Sequence, residues 1–304
     1  SKLPVMFCEE AYPFPISKKN IHFFFSRIKL HGFNYKVYLF YLKLYFFRLL
    51  DDLIKYERIY LFSNIFYKKN YDSLYASKAK KFVKTYCNSW DYSNALSIKQ
   101  NKKKKFIKKY IIYIDNGAPY FCGDIEKGER LLKYDLKKCY YDLNLFLDKI
   151  EKYFDAKVII IPHQKYKSSN TKKIKSFNPY FNNRVVNNDY DSLAKLSPNC
   201  LFFINVASTA LSYAIFSHKP IIHIFSSQRL YERGEFQYTF SQSKNTGKSP
   251  IDICKINKKK IVKNLTINKL KYKYYKYNYL TPKNKTVEKI PNYKIIGDFI
   301  QKHF

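Results

Sequence analysis

Short apolar runs alternate with amphipathic stretches from Tyr110 to Phe225, at the spacing of a parallel α/β unit. YIIYID at Tyr110–Asp115, VIII before Pro162, Leu201–Val206 and Ile221–Phe225 are each too short for a helix and end in polar or turn residues. They predict strands buried on both faces. Between the first two, Leu136, Cys139, Tyr140, Leu143, Phe146, Leu147, Ile150 and Phe154 fall on one stripe, which predicts a helix over Asp135–Phe154. Arg184–Asn187 predicts a short strand and Tyr190–Leu196 a short helix. The stretch Cys200–Ser227, CLFFINVASTALSYAIFSHKPIIHIFSS, predicts strand, helix, strand with the crossover of a parallel sheet.

The flanking regions are less regular. Residues 1–100 read as an incomplete α/β unit: Pro4–Glu10 as strand and loop, Ile21–Leu30 and Tyr35–Ile54 as amphipathic helices, Arg58–Phe62 and Lys81–Tyr86 as strands. SIKQNKKKKFIKK (Ser97–Lys109) reads as a solvated linker, NGAPYFCGD after Asp115 as a loop, and Lys165–Asn183 as an exposed loop. In the tail, Gln228–Ser249 reads as loop and Ile251–Lys263 mixes apolar residues with lysines. Leu265–Leu280 predicts a Lys/Tyr helix and Pro291–Phe304 a last one.

Composition changes this picture only a little. The 304 residues carry 57 Lys and Arg against 23 acids, a formal charge of +34. Because 31 Tyr and 26 Phe accompany the lysines while Gly numbers only 7, the balance reads first as compositional bias and only second as selection for a polyanion or anionic membrane. Six cysteines (Cys8, Cys87, Cys122, Cys139, Cys200, Cys254) stand far apart with no CxxC pair, which predicts reduced core thiols in a cytoplasmic protein rather than a disulfide frame or zinc site. The opening SKLPVMFCEE predicts no signal peptide, and no run approaches the ~20 apolar residues of a membrane span.

In a parallel sheet all carboxyl ends share one edge, so groups distant in sequence can meet there. That edge should receive Asp115 and Asn116, His163 and Gln164, Asn205 with Ser208 and Thr209, then Ser226 and Ser227. Ser208 and Thr209 open a helix whose free N–H groups suit a phosphate as well as an ordinary cap. His163 can donate a hydrogen bond to the same anion, or be a satisfied loop residue. Asp115 is a candidate base or a turn residue, and His218 and His223 read as structural. No Walker loop or GxGxxG is present, which argues against ATPase and dehydrogenase chemistry, and no cluster has metal spacing.

YIIYIDNGAPY, the long helix, VIIIPHQK and INVASTALSYAIFSHKPIIHI together resemble the C-terminal half of bacterial surface-carbohydrate glycosyltransferases of GT-B architecture, similar to sialyltransferases and Kdo transferases. SWDY at Ser89–Tyr92 resembles the end of their N-terminal domain. The resemblance implies two Rossmann-like domains facing a cleft, each a parallel sheet flanked by helices: residues 1–104 on the acceptor side, residues 105–304 binding the nucleotide sugar, the last helix packing back on the first domain. It implies a CMP-activated donor of the sialic acid or Kdo kind whose phosphate is held by His163, Ser208 and Thr209, with Gln164 and Asn205 beside them on the same edge as further donor-binding residues, and an acidic base, for which the candidates are Asp115, then Asp91, then Glu9 or Glu10. No cofactor and no obligatory metal are implied. The expected partners are the nucleotide sugar, a glycan or glycolipid acceptor and an anionic membrane surface on the inner face of the cytoplasmic membrane, with no specific nucleic acid. One departure stands out: in this chain the histidine follows Pro162 and precedes Gln164, where the family carries His-Pro. The alternatives are a basic nucleic-acid-binding protein and a catalytically silent nucleotide-sugar-binding relative.

Overall fold

The computed structural model describes residues 5–9, 59–63, 79–87, 109–116, 136–162, 178–187, 192–227, 233–281 and 290–303. The expected helices at 21–30 and 35–54, all but the last residue of the linker at 97–109 and all but the first residue of the loop after Asp115 lie outside these residues. The protein is α/β, and its described residues form two parallel sheets.

The larger sheet contains β4 (Tyr110–Ile114), β5 (Lys157–Ile161), β6 (Phe203–Asn205), β7 (Ile221–Phe225) and β8 (Ile251–Asp252), in the order β5-β4-β6-β7-β8 with every pair parallel. All five residues of β4 are buried, so its apolar run has a core on each face. On one face Ile111 and Tyr113 join Val158, Ile160, Ile204 and Ile222 beneath Phe146, Leu147 and Ile150 of α1 (Leu136–Phe154). Ile261 of α5 (Lys258–Asn264) joins the same cluster. On the other, Tyr110, Ile112, Ile114, Phe203 and Ile221 meet Leu196 of α2 (Ser192–Leu196) and Ala214 and Ile215 of α3 (Ser212–Phe216). Tyr272 and Tyr275 of α6 (Lys269–Tyr275) complete that side. This period of two is what a fully buried strand requires. Each large apolar side chain fully buried here contributes about 1.5–3 kcal/mol, so the sheet's two-sided cover holds the fold together.

Arg184 fastens the 178–187 segment to α1. Its guanidinium donates to Asn144 Oδ1 (2.8 Å) and Glu151 Oε2 (3.1 Å) and pairs with Asp148, while Glu151 Oε1 accepts from Val158 N (2.7 Å). Arg184–Asn187, expected as a strand, makes a single bridge between Val186 and Ile160. A larger departure concerns Gln228–Ser249. The loop expected there holds α4 (Arg233–Asn245), whose buried residues from Thr239 onward are the polar Thr239, Gln242 and Ser243.

The smaller sheet pairs β1 (Val5–Glu9), β2 (Ile59–Ser63) and β3 (Ala79–Lys84) in the order β1-β2-β3, all parallel. The chain leaving β3 is tied to the C-terminal segment. Cys87 N donates to Leu280 O (2.9 Å), and Lys84 Nζ donates to Tyr277 O (3.1 Å). Asn292, which begins α7 (Asn292–His303), accepts from Tyr86 N at 2.8 Å and donates to Tyr86 O at 2.9 Å, as a neighbouring strand would. Phe299 packs with Ile296 and Val83.

Candidate functional site

In the larger sheet the strand order reverses at β4: its first crossover leads to β5 on one side, and the chain then returns to β6 on the other. Such a switch point leaves a crevice outside the carboxyl ends of the two inner strands, here β4 and β6. Register fixes which residues border it. Ile114 pairs with Ile161 on one side and Asn205 on the other. With strands about 4.8 Å apart, the ends of β5 and β6 stand about 10 Å from each other across β4. Asp115 follows Ile114 directly and its N–H donates to Ile161 O (2.9 Å), so the β5 and β4 ends stay joined one residue beyond the ladder.

The sequence-predicted site residues take up distinct positions around this edge. Asp115 lies buried at the end of β4, only 2% exposed, with Asn116 half-buried after it. His163 and Gln164 lie outside the described residues, as does Asp91; the described chain reaches Pro162, one residue past the end of β5. Asn205 ends β6 and is fully buried, whereas Ser208 is half-buried and Thr209 exposed. Ser208 is an N-cap whose hydroxyl accepts from Ala210 N (3.3 Å), and the helix it opens is short: a tight turn at Thr209–Leu211 followed by α3. Ala207 just before it has φ +42°, a left-handed conformation that costs a residue with a Cβ about 1–2 kcal/mol. At the end of β7, Ser227 N donates to Asp252 Oδ1 (3.1 Å) and Ser226 Oγ lies 3.5 Å from Cys254 Sγ.

A buried polar network anchors the turn after β6. Asn205 Nδ2 donates to Gln242 Oε1 (2.8 Å) and approaches His223 Nδ1 (3.3 Å), while Gln242 Nε2 donates to the Ser208 carbonyl (2.9 Å). With an amide donor facing Nδ1, the His223 ring carries its proton on Nε2 and gives it to Thr246 Oγ1 (2.9 Å). That hydroxyl turns to the main-chain oxygens of Gln242 (3.0 Å) and Ser243 (3.1 Å). Burial pushes the His223 pKa down to about 3, with a smaller push from the Lys248 ammonium, so the imidazole is neutral. Asn205 and His223 are register partners on adjacent strands, and α4 supplies the polar cover they need. Sequence reasoning read His223 as structural and did not single out Gln242 or Thr246; a histidine inside IIHIF beside an asparagine ending FIN was the available signal.

Asn205 therefore directs its amide hydrogens inward, to α4 and β7. Its Oδ1, together with Ser212 Oγ and Thr239 Oγ1, is buried without a hydrogen-bond partner among the described residues, so these atoms remain able to take one. Cavities lined by described residues lie elsewhere. One, of about 550 Å³, sits at the amino ends of β4 and β5 between Lys109, Glu151 and Lys157. Another, of about 720 Å³, runs beside the edge strand β8 and is lined by Phe225, Phe240, Lys244, Lys248 and Lys260. Among the described residues no group of His, Cys, Asp and Glu is arranged to hold a metal ion, and no helix is long and apolar enough to cross a membrane. No protein-family model, curated protein or solved structure matches the chain.

Proposed function

We propose that the protein is a glycosyltransferase of the GT-B type that transfers a sugar from a nucleotide-sugar donor, above all a CMP-activated one, to a growing surface glycan. The observation that supports this reading is the register at the switch point. The strand end that leads to His163 and the turn that carries Ser208 and Thr209 flank Asp115 on one carboxyl edge. In this account His163 and the Ser208–Thr209 turn hold the donor phosphate. The acceptor hydroxyl attacks the anomeric carbon, the carbon–phosphate oxygen bond breaks, and the proton passes to a carboxylate, Asp115 first and Asp91 second. The smaller parallel sheet would belong to the acceptor-side domain.

A thermal-shift panel of CMP, UDP and GDP tests the reading. Ligand at about 100 times its dissociation constant stabilises by about 2.7 kcal/mol, which at about 2–4 °C per kcal/mol raises the melting temperature by roughly 5–10 °C. CMP should give this rise and His163→Ala should abolish it. A panel in which no nucleotide shifts the protein refutes the assignment; a CMP shift without sugar transfer identifies a silent relative.

A further inference from the structure

From the structure we infer that α6 is the protein's docking surface for an anionic lipid bilayer. Leu270 is the most exposed large apolar residue described, at 80%, and Tyr274 one turn later is 49% exposed. Both belong to a helix whose opposite side is firmly seated. Tyr272 and Tyr275 are buried in the core, and Tyr272 Oη donates to Lys219 O (2.9 Å). At 100° per residue Leu270 stands about 170° from the midpoint between those two tyrosines, so it forms the outward pole of the helix. Lys273 and Tyr274 lie to either side of the pole, and Lys269 and Lys271 occupy the two flanks, all exposed. An apolar tip ringed by long cationic side chains is the arrangement of a helix lying in a bilayer interface, where the lysine stems reach up to phosphate while the tip enters the acyl boundary.

The charge on the helix exceeds what the basic composition supplies. Lys269–Lys276 holds four lysines and no acid in eight residues, one cation in two against about one in five for the whole chain. The segment contains no arginine, and a leucine at the outermost point adds nothing to phosphate binding along a nucleic acid, whereas a bilayer takes it up.

Sedimentation of the full chain with vesicles tests it, using phosphatidylcholine alone and phosphatidylcholine with about 30% phosphatidylglycerol at physiological salt. The wild-type chain should bind the anionic vesicles and not the neutral ones. Each of Lys269→Gln, Lys271→Gln and Lys273→Gln should lower the partition coefficient about fivefold. Leu270→Ser, at a position too exposed to disturb the core, should lower it at least fivefold with an unchanged melting temperature. Leu270→Trp should show a blue shift of its emission on anionic vesicles. Anionic-vesicle binding that ignores Leu270→Ser, or no blue shift, overturns the proposal. So does tighter retention on a single-stranded RNA than on the vesicles with equal loss in all three lysine variants, which would make the surface a nucleic-acid site.

Discussion

Replacing Gln242 with methionine tests the network that anchors the turn after β6. Gln242 is fully buried, donates to the Ser208 carbonyl at 2.9 Å and accepts from Asn205 Nδ2 at 2.8 Å. Methionine preserves length and volume but neither bond, so a carbonyl oxygen and an amide hydrogen lose their partners inside the protein. Each such orphan costs about 1–3 kcal/mol, partly offset because the amide of the glutamine itself no longer has to be desolvated. A net loss of about 2–3 kcal/mol follows, or a fall of roughly 4–12 °C in melting temperature by far-UV circular dichroism. Gln242→Glu should fall further at neutral pH, because a carboxylate would face the Ser208 carbonyl oxygen. CMP affinity should drop in Gln242→Met as well, since Ala207 is held at φ +42° beside a carbonyl that has lost its donor. A Gln242→Met protein that melts within about 1 °C of wild type would refute the claim that this amide holds the turn.

His223 has its pKa pushed down to about 3 from an ordinary value near 6.5, so in between the unfolded chain binds a proton that the folded one refuses. Stability should therefore fall as pH drops from about 6.5 toward 3, by up to about 1.4 kcal/mol per pH unit from this residue, and His223→Gln should flatten that part of a denaturant-unfolding series. Burial pushes the Cys200 thiol up to about 12, so mass spectrometry should find it unmodified by iodoacetamide at pH 8 in the native protein and alkylated after unfolding. Asn292→Ala removes both hydrogen bonds to Tyr86, at 2.8 and 2.9 Å, and should speed amide exchange across α7 about tenfold, with β4 unchanged.

The larger sheet was legible because its strands are short apolar runs. The expected spans Tyr110–Asp115 and Ile221–Phe225 differ from β4 and β7 by at most one residue, and α1 matches the stripe that begins at Leu136. α4 was not legible. Its buried side presents Thr239, Gln242 and Ser243, with Thr246 just beyond its end; these residues read as loop by composition and become a packed face only because Asn205 and His223 lie opposite. Tertiary partners override local propensity there. The candidate site divides in the same way. That β4, β5 and β6 end on one edge follows from their being parallel strands, and the sequence shows this. Which way Asn205 turns its amide depends on a helix the pattern did not reveal.

The account stands or falls on whether His163 and the Ser208–Thr209 turn hold the same anion, and a double-mutant cycle measured by calorimetry with CMP asks this directly. If both sides grip one phosphate, His163→Ala and the paired Ser208→Ala/Thr209→Ala change should be non-additive by about 1 kcal/mol or more, the combined protein losing less than the sum of the separate losses. Losses that add to within about 0.3 kcal/mol would place the two sides on separate ligands and contradict it.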